Sequence, residues 1–196
     1  MNPSPSIVLF NGYLWESEVN ALISKMNQLH ASGVTHVKLL ISSHGGHFNQ
    51  AWRAYNEIER LGMIIDTHNL NYVESNAIIL FLAGRKRTSE ENATFLIHGQ
   101  SIEIGSETYN RNSLNLKLKT SSIPAFVEGL SKLNLVQPEI DGLILVKTKI
   151  TKLELDSLNS SEPTISSDEA RILGIISRIV DSSELISDPL IHKVCF

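Results

Sequence analysis

Residues 37–58 read VKLLISSHGGHFNQAWRAYNEI: a compact apolar strand, a glycine pair between two histidines, then a helix-length run with Phe48, Trp52, Tyr55 and Ile58 on one side. A short apolar run without polar alternation, such as 37–42, fits a parallel strand covered on both faces by helices. Gly45 and Gly46 let such a strand turn sharply into a helix and present backbone N–H groups to an anion or a developing oxyanion. The same dipeptide also serves as a plain turn. Neither GxGxxG nor a P-loop pattern occurs, so nucleotide binding has no motif support.

Working outward, 7–10 is a short apolar strand ended by the turn pair Asn11-Gly12. Residues 16–32 then place Val19, Leu22, Ile23, Met26 and Leu29 at helical spacing, with Gly33 as the stop. Strand, helix and parallel strand make one crossover unit. Beyond the glycine pair, a helix is expected over 48–61 and a strand over 63–67, followed by a linker, HNLNYVE. Ser75 opens an apolar helix that ends at Ala83-Gly84 before the basic Arg85-Lys86-Arg87. ATFLI, 93–97, is the next buried strand. Ile123, Phe126, Val127, Leu130 and Leu133 recur at helical spacing around Pro124, and 143–155 fits either a strand or a helix. SLNSSEP, 157–163, reads as a loop. Ser166 and Glu169 form a capping-box pattern for a short final helix, after which Ile175 to Val180 supplies a last apolar edge.

The chain has 196 residues, 42 % hydrophobic and 19 % charged, enough for one domain with a real core. Expected boundaries are a flexible segment 1–6, a domain 7–181 and a C-terminal tail 182–196. The formal net charge is −4, which gives no basic field for nucleic acid. The longest wholly apolar run, 77–83, is far short of the roughly 20 residues that cross a bilayer, and MNPSPSIVLF has no basic region before its short apolar run. A single cysteine, Cys195, permits a reducing compartment. Neither a membrane nor a nucleic acid is an expected partner. His44, His47 and His68 form no zinc pattern, so no metal or other cofactor is expected.

Two residues stand out chemically. Ser75 starts a helix, where its side chain either caps free N–H groups or, given a base and an oxyanion site, acts as a nucleophile. His98 ends the ATFLI strand, and the carboxyl edge of a parallel sheet is where open α/β proteins hold their ligands. Nothing local joins them; the fold has to.

Taken in order and spacing, ISSHGGHFNQAWRAYNEI, ESNAIILFLAG and KRTSEENATFLIHG resemble the proteolytic subunit of the Clp protease family. ISSDEARILGIISRIV is similar to that family's closing segment. The resemblance spans about residues 7–181. It implies an α/β, ClpP/crotonase-like fold of repeated ββα and βαβ units around a mainly parallel sheet. It also implies a Ser-His-Asp serine endopeptidase acting on peptides or unfolded proteins. Ser75 corresponds to the nucleophile, His98 to the general base, and Gly45 to the supporting loop. The Gly46 and Asn76 N–H groups correspond to the oxyanion hole. For the acid, a match counted back from Asp168-Glu169-Ala170 falls on Leu158; two inserted residues in SLNSSEP bring Asp156 into register, with Asp141 and Glu154 as alternatives and no orienting acid as the remaining case. The resemblance further implies a cytoplasmic homo-oligomer of heptameric rings fed by an ATP-driven unfoldase, and MNPSPSIVLF is too short for the family's usual N-terminal gating loops.

The site also departs from the family. His44 stands where proline is usual, and NYVESNA replaces the small-residue surroundings of the serine. Glu74 would favour the charged form of a nearby histidine or obstruct a peptide by charge and bulk. Two other readings follow: a catalytically reduced subunit retained for assembly, and a crotonase-like acyl-thioester enzyme sharing the same oxyanion logic.

Overall fold

The computed structural model describes residues 5–104, 107–110, 123–185 and 191–195. Strand β1 (Ser6–Asn11) leads through helix α1 (Glu16–Ala31) to β2 (His36–Ser43), then α2 (Phe48–Arg60) and β3 (Ile64–Glu74). Helix α3 (Ala77–Phe81) is followed by β4 (Lys86–Ser89), β5 (Thr94–Leu96) and the hairpin β6 (Ser101–Ile104) and β7 (Glu107–Asn110). The chain closes with α4 (Ile123–Lys147), α5 (Lys152–Ser161), β8 (Thr164–Ser166), α6 (Ser167–Ile172), β9 (Arg178–Ile179), α7 (Ser182–Leu185) and β10 (Ile191–Cys195).

The main sheet runs β10-β1-β2-β3-β4-β9, every pair parallel, with β5 beside β3 and β8 antiparallel to β5. Val8, Phe10, Val37, Leu39 and Ile41 meet Val19, Leu22 and Met26 of α1 and Ala51, Ala54 and Ile58 of α2 in one buried cluster. The first crossover unit is therefore as read from sequence. Residues 182–196, expected as a tail, contain α7 and β10, and β10 covers the outer edge of β1. Residues 1–4 of the expected N-terminal segment lie outside the described residues, as do the side chains of Ile123, Phe126 and Leu130.

Three segments correct the sequence reading. HNLNYVE is strand, not linker, because His68 Nδ1 and Asn69 Nδ2 find partners inside the sheet, while the buried Asn69 Oδ1 has none among the described residues. Thr67 Oγ1 donates to Phe81 O at 2.8 Å, His68 Nδ1 lies 2.8 Å from Thr88 Oγ1, and Asn69 Nδ2 donates to Thr94 O at 2.8 Å. The ambiguous stretch 143–155 is two helices with a break between Lys147 and Lys152. SLNSS is helical rather than loop, started by a full capping box at Thr151 and Glu154.

The extra length of β3 positions the site. Its first half, Asp66 to Asn69, pairs with β4; its second half, Tyr72 to Glu74, pairs with β5. One strand thus forks between two partners, and its last residue reaches the carboxyl end of β5. At the opposite side, the Arg87 guanidinium is half-buried and donates to Gly84 O, Lys147 O, Gly174 O and Ile175 O at 2.6–3.3 Å.

His68 carries a testable consequence. Burial, only partly offset by Glu90, holds its folded-state pKa below the ordinary 6.5. Protons then bind the unfolded chain more readily than the folded one, so stability is full above pH 6.5 and falls as the pH drops through and below that value. Urea unfolding midpoints measured from pH 7.5 to pH 5 should decline, and His68→Gln should flatten that decline.

Candidate active site

Ser75 follows the last residue of β3 and has φ +53°. Positive φ is uncommon in a non-glycine residue, and here it reverses the chain from strand into helix within one residue. Two backbone bonds hold the turn: Ser75 N donates to Leu96 O at 2.8 Å, and Ile78 N donates to Ser75 O at 3.1 Å. Helix α3 is buried along its whole length, so the turn rests on a rigid base. A serine on a sharp strand-to-helix turn presents its hydroxyl at the carboxyl edge of the sheet.

The glycine pair packs directly on this turn. A Cβ at Gly45, where φ is +94°, would stand 2.8 Å from Ser75 Cβ and 2.9 Å from Glu74 O. One at Gly46, where φ is +143°, would stand 2.8 Å from Leu14 N. Leu14 brackets the pair, its N–H donating to Gly45 O at 2.7 Å and its carbonyl accepting from His47 N at 3.1 Å. The N–H groups of Gly46 and Asn76 have no acceptor among the described residues. Asn76 directly follows Ser75, and Gly46 directly follows the glycine that packs on the Ser75 turn.

A chain of amides fixes this arrangement. Asn76 Nδ2 donates to Gly46 O at 2.8 Å, and Gln100 Nε2 donates to Asn76 Oδ1 at 2.9 Å. Gln137 Oε1 accepts from Gln100 N at 2.7 Å, and Gln137 Nε2 donates to Asp141 Oδ1 at 2.8 Å. Asn76, Gln100, Gln137 and Asp141 are all buried, so the relay links the glycine turn to the long helix α4 in low dielectric. The sequence reading did not find it, because its members are spread over 66 positions and share no spacing pattern.

His98 lies two residues beyond β5 and Ser75 one residue beyond the paired strand β3, so both leave the same end of adjacent parallel strands. The His98 Nδ1–H donates to Gly99 O at 2.8 Å, since a carbonyl can only accept. In the neutral ring this leaves Nε2 unprotonated, the form a base requires.

Among the described residues no hydrogen bond joins Asp156 to His98. Asp156 is exposed on α5, one turn after Lys152, whose Nζ donates to its carboxylate at 2.5 Å. The stretch from Lys152 to Ser161 is helix, where a loop was expected over 157–163. Leu158 packs against the core, Glu154 closes the Thr151 capping box, and Asp141 is held by Gln137, Lys152 and Asn159. Gly99, beside His98, faces Asn159, whose carbonyl accepts from its N–H at 3.3 Å; the register leads one further carboxylate toward this end of the sheet. The β5–β8 ladder ends at Leu96–Thr164, so His98 and Glu162 each lie two residues past the last pair, at the same end of an antiparallel ladder. Glu162 has φ +50°, a turn that redirects the chain from α5 into β8. Sequence reading missed it because SLNSSEP was taken as one loop.

Residues 4–183 match the Clp protease family, and the chain belongs to that family. A structure of a mutant ClpP1 from Listeria monocytogenes is similar with a TM-score of 0.74 at 17 % identity, covering 91 % of this chain and 93 % of that one. No curated protein sequence matches it. The mixed α/β architecture with a mainly parallel sheet is thus the ClpP-like, crotonase-like fold expected from sequence.

The close approach of Gly45 gives a direct test. Gly45→Ala combines a left-handed backbone with a collision against Ser75 and Glu74, and should cost about 3 kcal/mol in urea unfolding. Gly62→Ala, at φ +64° with nothing within 4 Å of the added Cβ, should cost only about 1 kcal/mol.

Proposed function

We propose that this chain is a serine endopeptidase in which Ser75 is the nucleophile, His98 the general base, and the N–H groups of Gly46 and Asn76 the oxyanion hole. The observation that carries the reading is the Ser75 turn, strained to φ +53° against the glycine pair, with both neighbouring N–H groups unclaimed. Ser75 Oγ attacks the peptide carbonyl as His98 Nε2 takes its proton, and the oxyanion forms between the two N–H groups. Breakage of the C–N bond sends that proton to the leaving amine. Water, deprotonated by His98, then releases the acyl group. The sequence needs no metal or cofactor.

Glu162 is the orienting acid in this reading in place of Asp156. Its support is the strand register, and its role, once His98 Nδ1–H exchanges Gly99 O for the carboxylate, is to hold the ring and stabilise the imidazolium. A second reading, a subunit of reduced activity, is favoured by the His98 Nδ1 bond to a carbonyl rather than a carboxylate. A fluorophosphonate probe followed by mass spectrometry separates the two: the peptidase reading expects the adduct on Ser75, and an unlabelled serine under conditions that label an active relative removes it. Glu162→Gln should lower peptide turnover by about 10²- to 10⁴-fold and shift the pH profile, with Glu162→Asp restoring part of both. Asp156→Asn should leave turnover unchanged.

The partners follow from the family reading: unfolded polypeptide as substrate, rings of seven copies, an ATP-driven unfoldase as feeder, and a cytoplasmic setting. No helix among the described residues is long and apolar enough to cross a membrane. Val127 and Leu135 of α4 are exposed, an apolar surface suited to a second copy. Sedimentation velocity should give a species much larger than one chain, reduced in size by a Leu135→Asp and Val127→Asp double variant. A single-chain species in the unaltered protein would defeat this.

A further inference from the structure

The surface just before the nucleophile is unlike a pocket for small apolar side chains. Alternation along β3 puts Tyr72 and Glu74 on one face, opposite the buried Val73. His44, immediately before the glycine pair, lies nearly flat on Tyr72, with ring centroids 4.0 Å apart and planes 13° apart. Its Nδ1–H donates to Glu74 Oε2 at 2.6 Å. Tyr13 extends the row, 5.8 Å from His44 and stacked on Trp15 at 5.5 Å, and Trp15 meets the His47 ring at 4.6 Å.

Tyr13 and Trp15 are 48 % and 40 % exposed, a large aromatic area to leave in water. Glu74 keeps its second oxygen, Oε1, without a donor among the described residues, and no Lys or Arg there pairs with it. The surface therefore offers π faces beside a carboxylate that retains acceptor capacity. A planar cation satisfies both, stacking on the rings while its N–H groups donate to the carboxylate. An acidic side chain would meet Glu74 as a like charge.

We propose that this surface is a specificity subsite for a cationic side chain of the bound peptide, arginine above lysine, next to the bond that is cut. Its place beside that bond rests on Ser75 being the nucleophile; its chemistry does not. His44 stands two residues before Gly46 and Glu74 two residues before Asn76, so the surface adjoins both N–H groups assigned to the carbonyl oxygen in that reading.

Binding can be measured without turnover. Two fluorescent pentapeptides differing only by arginine or norleucine at the central position are titrated into Ser75→Ala protein and followed by anisotropy. Arginine should bind about tenfold tighter, with the advantage shrinking as salt rises. Glu74→Gln on the same background should remove most of the difference, and Tyr13→Ala should narrow it. Equal affinities, tighter norleucine binding, or an arginine preference that survives Glu74→Gln overturns the proposal. Fluorophosphonate labelling of the unaltered protein reports separately on Ser75, so failure of the nucleophile assignment and failure of the subsite are read in different experiments.

Discussion

Everything at the carboxyl edge of this sheet depends on one approach, the backbone of Gly45 lying where a side chain would strike Ser75 and the Glu74 carbonyl. Because two chain segments share that space, the residue on one side has no Cβ and the residue on the other adopts a left-handed turn. Gly45 takes its positive φ freely, whereas the left-handed Ser75 conformation is unfavourable alone. They persist because Leu14, Leu96 and Asn76 supply hydrogen bonds from three directions, and because buried α3 prevents the turn from relaxing. The reactive geometry is thus a property of β1, β2, β3 and β5 acting together.

The same logic explains the polar relay behind the site. Asn76, Gln100, Gln137 and Asp141 are buried, and each amide has two functions to satisfy. Linked in series, they fix the orientation of every member, and they connect the Gly46 turn to α4 by directional bonds.

Much of this was legible in the chain, and the reasons differ by element. VKLLIS, the glycine pair and ATFLI announced themselves because apolar strands and special turns leave strong local signals. The Ser166–Glu169 capping box was readable for the same cause, being complete within four residues. The part of β3 beyond Thr67 was hidden, since His68 and Asn69 look like solvent-facing residues until their partners on β4 and β5 are known. SLNSS was hidden differently. Serines favour loops, but here Ser160 and Ser161 return their hydroxyls to carbonyls four residues back, and the deciding signal, Thr151 with Glu154, lies six residues upstream of Ser157. Reading that helix as a loop is what allowed two inserted residues to be placed there in assigning Asp156.

Arg87 gathers carbonyls from near the carboxyl ends of α3, α4 and α6, partners 3, 60, 87 and 88 positions away in sequence. These are ends where backbone dipoles accumulate negative potential, and one delocalised cation answers all of them. The arrangement makes the three segments thermodynamically interdependent. Fraying of any one leaves the guanidinium with an unmet donor in a half-buried place, which weakens its hold on the other two. Segments far apart in sequence are thereby drawn into a single cooperative unit, closed only after the last of those carbonyls has been brought across the chain.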